Sequence, residues 1–149
     1  MDNHATTPVD PRVIETILPY YSTRFGNPAS SNHAFGWEAA AAVDEVRSQI
    51  ARLIQAASPG EIVFTSGGTE SDNLAIKGVA EFYRNKGDHI ITCATEHKAV
   101  LDTCKSLEGK GFRVSYIPVD RYGVVDLERL NSAIDQRTLL ISVMAANND

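Results

Sequence analysis

The sequence is poor in the features that mark secreted, membrane-spanning or nucleic-acid-binding proteins. It has only two cysteines, Cys93 and Cys104, which are too few for a disulfide framework and favour a reducing cytoplasm. No apolar run is long enough to cross a bilayer, and the N-terminus lacks the apolar segment of a signal peptide. The net charge is −5 and lysine and arginine do not cluster, so no basic surface is predicted for nucleic acid or an anionic membrane. We therefore expect a cytoplasmic protein that binds neither.

The sequence also lacks the spacing of a metal site. His4, His33 and His89 have no histidine four residues away and no cysteine pair at the spacing of zinc ligands, so we expect no bound metal. Cys93 falls in a predicted strand and Cys104 on the apolar face of a predicted helix. Both are therefore interpreted as buried small apolar residues rather than nucleophiles.

Strand-like and helix-like segments alternate from residue 62 onward, after two helix-like segments, and 43% of the 149 residues are hydrophobic. The predicted helices span residues 11–18, 35–56, 70–84, 97–108 and 127–134, and the predicted strands span 62–65, 89–93, 112–117 and 139–143. This alternation, with short links, predicts an α/β fold with a mostly parallel sheet and helices on both faces. The helix over 70–84 is expected to carry Leu74, Gly78, Val79 and Phe82 on one face.

In a parallel sheet, ligands bind beyond the carboxyl ends of the strands. Three loops are predicted at that edge: Ser66–Thr69, Ala94–His97 and Ala145–Asp149. They are the places where this sequence is expected to carry its chemistry.

The loop over Ser66–Thr69 has the composition of a phosphate site. Two glycines and small hydroxyl residues let the backbone approach an anion closely, and the first free N–H groups of the next helix would point at it. The loop matches neither the P-loop pattern nor the dinucleotide fingerprint, so one small anionic group fits better than a nucleotide. The alternative is an ordinary turn, with Thr69 capping the helix and Asp72 completing a capping box. Spacing alone leaves both open.

The other two loops carry His97 and the run Asn147-Asn148-Asp149. A flat imidazole at the sheet edge suits stacking on an aromatic cofactor and moving a proton, although a lone histidine is more often a surface or capping residue. The helix that begins at His97 is expected to be capped by Thr95 or Glu96. An asparagine amide can bind a phenolic oxygen or a carboxylate, but asparagine pairs are also common in turns.

Together these motifs resemble the cysteine desulfurases of the NifS/IscS type, in the class V aminotransferase family of fold-type I pyridoxal-phosphate enzymes. The likeness runs along the whole chain, and the segments that carry it are Asp2–Pro8, Gly26–Ser30 with His33 and Gly36, Thr65–Gly78 and Glu96–Val100. Several multi-residue matches in the same order are far more specific than a single glycine motif.

The resemblance implies roles for particular residues. Gly68 and Thr69 would hold the phosphate of pyridoxal 5′-phosphate, and His97 would stack on its ring and assist proton transfer. Asn148 would contact the cofactor or the substrate. The residues expected near the substrate are His4, Ala5, Thr6 and Thr7.

The resemblance also implies a domain division, a reaction and partners. Residues 21–149 would form the N-terminal part of the pyridoxal-phosphate-binding large domain, and residues 1–20 a segment near the active site. The enzyme would remove sulfur from L-cysteine, giving L-alanine and a persulfide on an enzyme cysteine. The sulfur would pass to iron–sulfur scaffold and sulfur-carrier proteins for iron–sulfur cluster assembly and tRNA thiolation, and the complete protein would be a homodimer. The open alternatives are another class V enzyme, such as a selenocysteine lyase or aminotransferase, and a non-catalytic dimerisation or scaffold-binding half.

The resemblance covers only the first part of such enzymes. The family's Schiff-base lysine, its persulfide cysteine, the aspartate of the pyridine nitrogen and the arginine for the substrate carboxylate have no counterpart here. Lys77 and Lys98 lie in matched motifs but not at the position of the family's lysine, and Asp149 stands where the family usually has glutamate. We therefore expect this segment alone to be inactive, and its strand over 139–143 to have an exposed edge.

Overall fold

The computed structural model describes residues 6–147, which fall into two compact units that meet in the chain between Phe64 and Thr65. The first unit contains helices α1 (Pro11–Ile17) and α2 (Ala34–Ile54) and two short 3-10 turns. The second unit contains, in chain order, α3 (Gly68–Phe82), β1 (His89–Cys93), α4 (Lys98–Glu108), β2 (Arg113–Ile117), α5 (Leu127–Ala133) and β3 (Thr138–Ser142). Within the described residues, every helix is too short or too polar to cross a membrane.

Both helices of the first unit begin where a side chain caps them. Asp10 accepts the backbone N–H of Arg12 at 2.8 Å and starts α1, as its pairing with proline at the next position predicts. His33 starts α2, because its Nδ1 accepts the N–H of Gly36 at 3.1 Å. The helix ends at Gln55, which takes up a left-handed conformation with φ of 57°.

The predicted strand over residues 62–65 is wrong. Ile62 is extended, with φ of −89° and ψ of 118°, but no strand within residues 6–147 pairs with this segment. Apolar β-branched residues favour an extended backbone, but a strand also needs a neighbour for its ladder of hydrogen bonds. Here the carbonyl of Ile62 instead accepts a hydrogen bond from the Arg47 guanidinium, which also lies 4.8 Å from the ring centroid of Phe64.

The second unit is built on a parallel three-stranded sheet with the order β2-β1-β3, which confirms the predicted α/β fold. All five residues of the central strand β1 are buried. A core cluster on this sheet joins α3, β1 and α4 and consists of Ile76, Ala80, Ile90, Val100, Cys104, Leu107 and Phe112. Because β1 and β3 are neighbours and parallel, the residues after Cys93 and after Ser142 emerge at the same edge.

The apolar residues that the sequence groups on one face of the helix over 70–84 are not the ones that the structure buries. Ile76 and Ala80 are the buried residues of α3, whereas Leu74 is 52% exposed and Phe82 is 77% exposed. Apolar residues occur on more than one side of this helix, and their period does not say which side meets the sheet. The side that carries the small Ala80 packs against α4, where Val100 and Cys104 complete the core cluster.

His89 connects all three strands at the amino end of the sheet. Its ring is buried, with Nδ1 2.9 Å from the Thr138 hydroxyl of β3 and Nε2 2.9 Å from the Ser115 hydroxyl of β2. Burial, together with the nearby positive charge of Arg113, lowers the pKa of His89 below its usual 6.5. Each ring nitrogen has one hydroxyl partner, an arrangement that suits a neutral ring, with one nitrogen donating and the other accepting.

Stability is therefore expected to fall on mild acidification. A histidine whose pKa is lowered on folding binds its proton more readily in the unfolded chain, so its contribution is complete above pH 6.5 and is lost as the pH falls from there. The urea midpoint should drop between pH 7.5 and 5, and the drop should shrink in His89→Gln. Asp88 acts in a separate, more acidic range, because the Arg137 guanidinium lowers its pKa to about 2. If the urea midpoint drops equally in the unmodified protein and in His89→Gln, titratable groups other than His89 cause the loss of stability.

Candidate functional site

The loops that follow β1 and β3 are hydrogen-bonded to each other at the carboxyl edge of the sheet. The Glu96 carboxylate accepts the backbone N–H of Met144 at 2.5 Å, and the Asn147 side-chain amide donates to the carbonyl of Thr95 at 2.9 Å. The structure therefore brings together two of the three loops that the sequence places at this edge. The third loop leads into α3, which begins at Gly68.

The start of α3 presents backbone N–H groups that no side chain caps. Gly67 is the N-cap residue, and the first helical N–H to reach an acceptor is that of Ser71, which donates to the Gly67 carbonyl at 3.1 Å. Within the described residues, the N–H groups of Gly68, Thr69 and Glu70 have no acceptor. A capping role for Thr69 is therefore wrong, since it lies in the first turn and its hydroxyl does not cap the helix.

The backbone at the start of α3 can be approached closely at its two glycines. A Cβ atom built on Gly67 or Gly68 would meet no atom within 4 Å. The donor set at the positive end of this 15-residue helix fits one phosphate group. It consists of the three N–H groups without an acceptor and the Thr69 hydroxyl. The residues present therefore suit an anionic group of this size.

Glu70 orders the turn from inside the helix. Its Oε2 accepts both the N–H of Ser66 at 2.6 Å and the Ser66 hydroxyl at 2.7 Å, and these bonds lower the pKa of the carboxyl. The hydroxyls of Thr65 and Ser71 lie 2.6 Å apart and close the turn on its other side. The sequence predicts a capping box with Asp72, but the carboxylate that reaches back is Glu70, at the third helical position where such a box has its acid.

His97 is itself the cap of α4, so the predicted caps Thr95 and Glu96 are wrong. Its Nδ1 accepts the N–H of Ala99 at 3.1 Å, which requires that nitrogen to be unprotonated and leaves the hydrogen on Nε2. Within the described residues, Nε2 has no hydrogen-bond partner, and the side chain is exposed. The helix thus fixes the ring through one nitrogen and leaves the other available at the sheet edge.

Glu96 is the residue of this site that sequence reasoning missed. It is only 7% exposed, and burial raises the pKa of its carboxyl, against hydrogen bonds from the backbone of Met144 and His97. The sequence offers one signal for this role, namely a charged residue three positions after the end of an apolar predicted strand.

The structure does not test the roles of several residues that the resemblance singles out. His4, Ala5 and Asn148 lie outside the described residues, and their roles stay predictions. Thr6 and Thr7 are exposed residues of the first unit.

Both cysteines are free and buried, and burial raises the pKa of Cys104 to about 11. No group of three or more potential metal ligands occurs within residues 6–147.

The family to which this chain belongs follows from its sequence. The family model described as aminotransferase class-V matches residues 1–149, so the chain is a member of the class V aminotransferase family. Among curated proteins, it is 58% identical over 149 residues to the cysteine desulfurase IscS of Rickettsia felis and 59% identical to that of Rickettsia akari. Each alignment covers all of this chain but 36% of the relative, so the chain spans about a third of these proteins.

Solved structures give the same relationship. A NifS-like protein superposes with a TM-score of 0.92 at 48% identity, covering 99% of this chain and 40% of that chain. SspA in complex with cysteine superposes with a TM-score of 0.88 at 40% identity, covering 99% of this chain and 42% of its own. The predicted resemblance to cysteine desulfurases is thereby confirmed.

Proposed function

We propose that the protein containing this chain is a pyridoxal-phosphate-dependent cysteine desulfurase, which removes sulfur from L-cysteine and leaves L-alanine. The observation that carries the proposal is the uncapped start of α3, open at Gly67 and Gly68. A second observation supports the proposal, because the His97 ring in a neighbouring loop has one nitrogen, Nε2, without a hydrogen-bond partner within the described residues. Among the relatives, the IscS proteins are named cysteine desulfurases, and SspA is described in complex with cysteine.

In this proposal, Gly68 and Thr69 bind the cofactor phosphate through their backbone N–H groups, with the Thr69 hydroxyl as a further donor. The cofactor supplies an electron sink for a bond at the α-carbon of an amino acid. His97 stacks on the cofactor ring and moves a proton at Nε2, while the amide of Asn148 contacts the cofactor or the substrate. His4, Ala5, Thr6 and Thr7 lie near the substrate. Cys93 and Cys104 are buried, so the sulfur-accepting cysteine belongs to another part of the enzyme.

The wider biology is proposed in the same way. Sulfur from L-cysteine would pass to iron–sulfur scaffold and sulfur-carrier proteins, for cluster assembly and tRNA thiolation. The complete protein would be a cytoplasmic homodimer, and two free buried cysteines suit a reducing compartment. Residues 21–149 would belong to the cofactor-binding domain and residues 1–20 to a segment near the active site.

The test of the proposed function is sulfide release by the complete protein, supplied with pyridoxal phosphate, L-cysteine and an excess of a dithiol, which reduces the enzyme persulfide and is itself oxidised to a disulfide. Stoichiometric sulfide and alanine are expected, with no transamination of the cofactor. Preferential selenide release would favour a selenocysteine lyase, and keto-acid formation an aminotransferase. No turnover and no cofactor binding would overturn the proposal in favour of a non-catalytic protein.

Replacing Thr69 with valine should separate phosphate binding from helix capping. Because Gly67 rather than Thr69 is the N-cap, the unfolding midpoint should change little. The affinity for pyridoxal phosphate should fall about tenfold or more, since a hydrogen bond to a charged group is lost. Titration of the apoprotein with the cofactor measures this, with Thr16→Val as the control, since that exposed helical threonine only donates to the Arg12 carbonyl. Reduced stability with unchanged affinity would contradict the phosphate role.

A further inference from the structure

Beyond their last paired residues, β1 and β3 no longer fix each other. The parallel ladder between them ends at Thr92 and Ser142, so the residues that carry the site's side chains lie past the sheet. Those residues nevertheless need a fixed separation, because groups that act on one ligand must be held to within a fraction of an ångström. Something outside the ladder must therefore hold the two loops together.

Glu96 is the buried group that makes such a connection. It directly precedes His97 in the loop after β1, and its Oε1 accepts the N–H of Met144, two residues past the end of β3. The connection is reinforced by the bond from the Asn147 amide to the Thr95 carbonyl, at 2.9 Å. The first bond is largely shielded from water, whereas the second lies at an exposed position.

A carboxylate is a costly choice for this position. Burying a charge is unfavourable unless hydrogen bonds satisfy it, and an apolar side chain of similar size would avoid the cost. An apolar side chain would, however, leave the backbone N–H of Met144 without its acceptor. The charged or titratable groups that act on Glu96 are Asp72 of α3 and its own neighbour His97, the N-cap of α4.

We propose that Glu96 is a positioning residue, whose side chain holds the segment after β3 against the loop of His97 and so sets the separation between the imidazole and the backbone that follows β3. This inference rests on the proposed function. Glu96 does not need to touch the cofactor or the substrate, since it acts through Met144 and through its own neighbour His97. The reach of its side chain matters more than its charge.

The test compares three variants of the complete protein. Glu96→Ala removes the acceptor, Glu96→Asp keeps the charge but shortens the side chain, and Glu96→Gln keeps both the length and a carbonyl acceptor. Glu108→Ala is the matched control, because Glu108 is an exposed glutamate at the other end of α4. The measurements are kcat and KM for L-cysteine, the affinity of the apoprotein for pyridoxal phosphate, and hydrogen exchange of the peptide that contains Met144.

We expect Glu96→Ala and Glu96→Asp to lower kcat about tenfold or more with a smaller change in KM, and to speed exchange at Met144. The kcat of Glu96→Gln should stay within about threefold of that of the unmodified protein, and the kcat of Glu108→Ala should equal that of the unmodified protein. If Glu96→Ala does not fold, comparison of Glu96→Asp with Glu96→Gln still shows whether the length or the charge of the side chain is required. Equal losses in Asp and Gln, or faster exchange with unchanged kcat, would overturn the inference. An unmodified protein that neither binds the cofactor nor releases sulfide would instead overturn the proposed function.

Discussion

Replacing His97 with asparagine is expected to lower kcat for sulfide release by about 100- to 10,000-fold, the usual contribution of a positioned general acid or base. Asparagine is among the best N-cap residues, so the substitution should preserve the start of α4 while it removes Nε2. The loss should therefore appear in kcat, with the unfolding midpoint nearly unchanged. Steady-state kinetics and urea unfolding of the complete protein measure the two effects separately.

The chain offers a matched control for this substitution. His33 caps α2 as His97 caps α4, through Nδ1 and a backbone N–H at 3.1 Å. His33→Asn makes the same chemical change at a helix of the first unit, and we expect it to leave kcat within about twofold. A His97→Asn enzyme that keeps more than half of its activity would show that no essential proton passes through this ring. The histidine would then be a cap and nothing more.

Replacing Gly87 with alanine is expected to destabilise the second unit by about 3 kcal/mol, which is at the upper end for single substitutions. Gly87 is buried between α3 and β1, and an added Cβ would overlap the carbonyl group of Arg137. That carbonyl accepts the N–H groups of Asp88 at 3.2 Å and His89 at 3.0 Å. Since the obstructing atoms are backbone, relief requires β3 to move away from β1.

Gly78→Ala is the control for this prediction, and its effect should have the opposite sign. Gly78 lies inside α3, where an added Cβ would meet no atom within 4 Å. Alanine at a helical position is favoured over glycine by about 0.5–1 kcal/mol, so this variant should be more stable. The urea midpoints of the two variants and the unmodified protein give both signs in one experiment. A Gly87→Ala variant as stable as the unmodified protein would mean that the approach of β3 to β1 is less tight than described.

Local patterns predict the elements of the second unit well, because each carries its own signal. The strand at residues 89–93 has the predicted bounds, and Asp126 caps α5 as its position indicates. Patterns fail where the outcome depends on a partner elsewhere in the chain. The segment at 62–65 has the residues of a strand but no paired neighbour within the described chain. Helix α3 buries Ile76 and Ala80, which pack in one cluster with Val100 and Cys104 of α4.

The site shows the same division between local and non-local information. Glycines before a helix indicate an anion site, and the start of α3 has the open geometry they suggest. Which side chain caps a helix depends on the direction of each side chain, so Thr69 and Thr95 were plausible caps where Gly67 and His97 are the observed ones. Glu96 could not be assigned from sequence, since its partner Met144 lies 48 residues away.

The strand order β2-β1-β3 has a consequence for how the sheet assembles. The bond from His89 to Ser115 of β2 spans 26 residues, whereas its bond to Thr138 of β3 spans 49. Closing a loop of twice the length costs about 0.6 kcal/mol more in chain entropy, so the pairing of β1 with β2 is favoured first. During synthesis β1 also leaves the ribosome before either neighbour, with all five of its residues destined for burial. We infer that the three described strands assemble outward from β1, and that β3 pairs with β1 after β2 and so brings Met144 to Glu96.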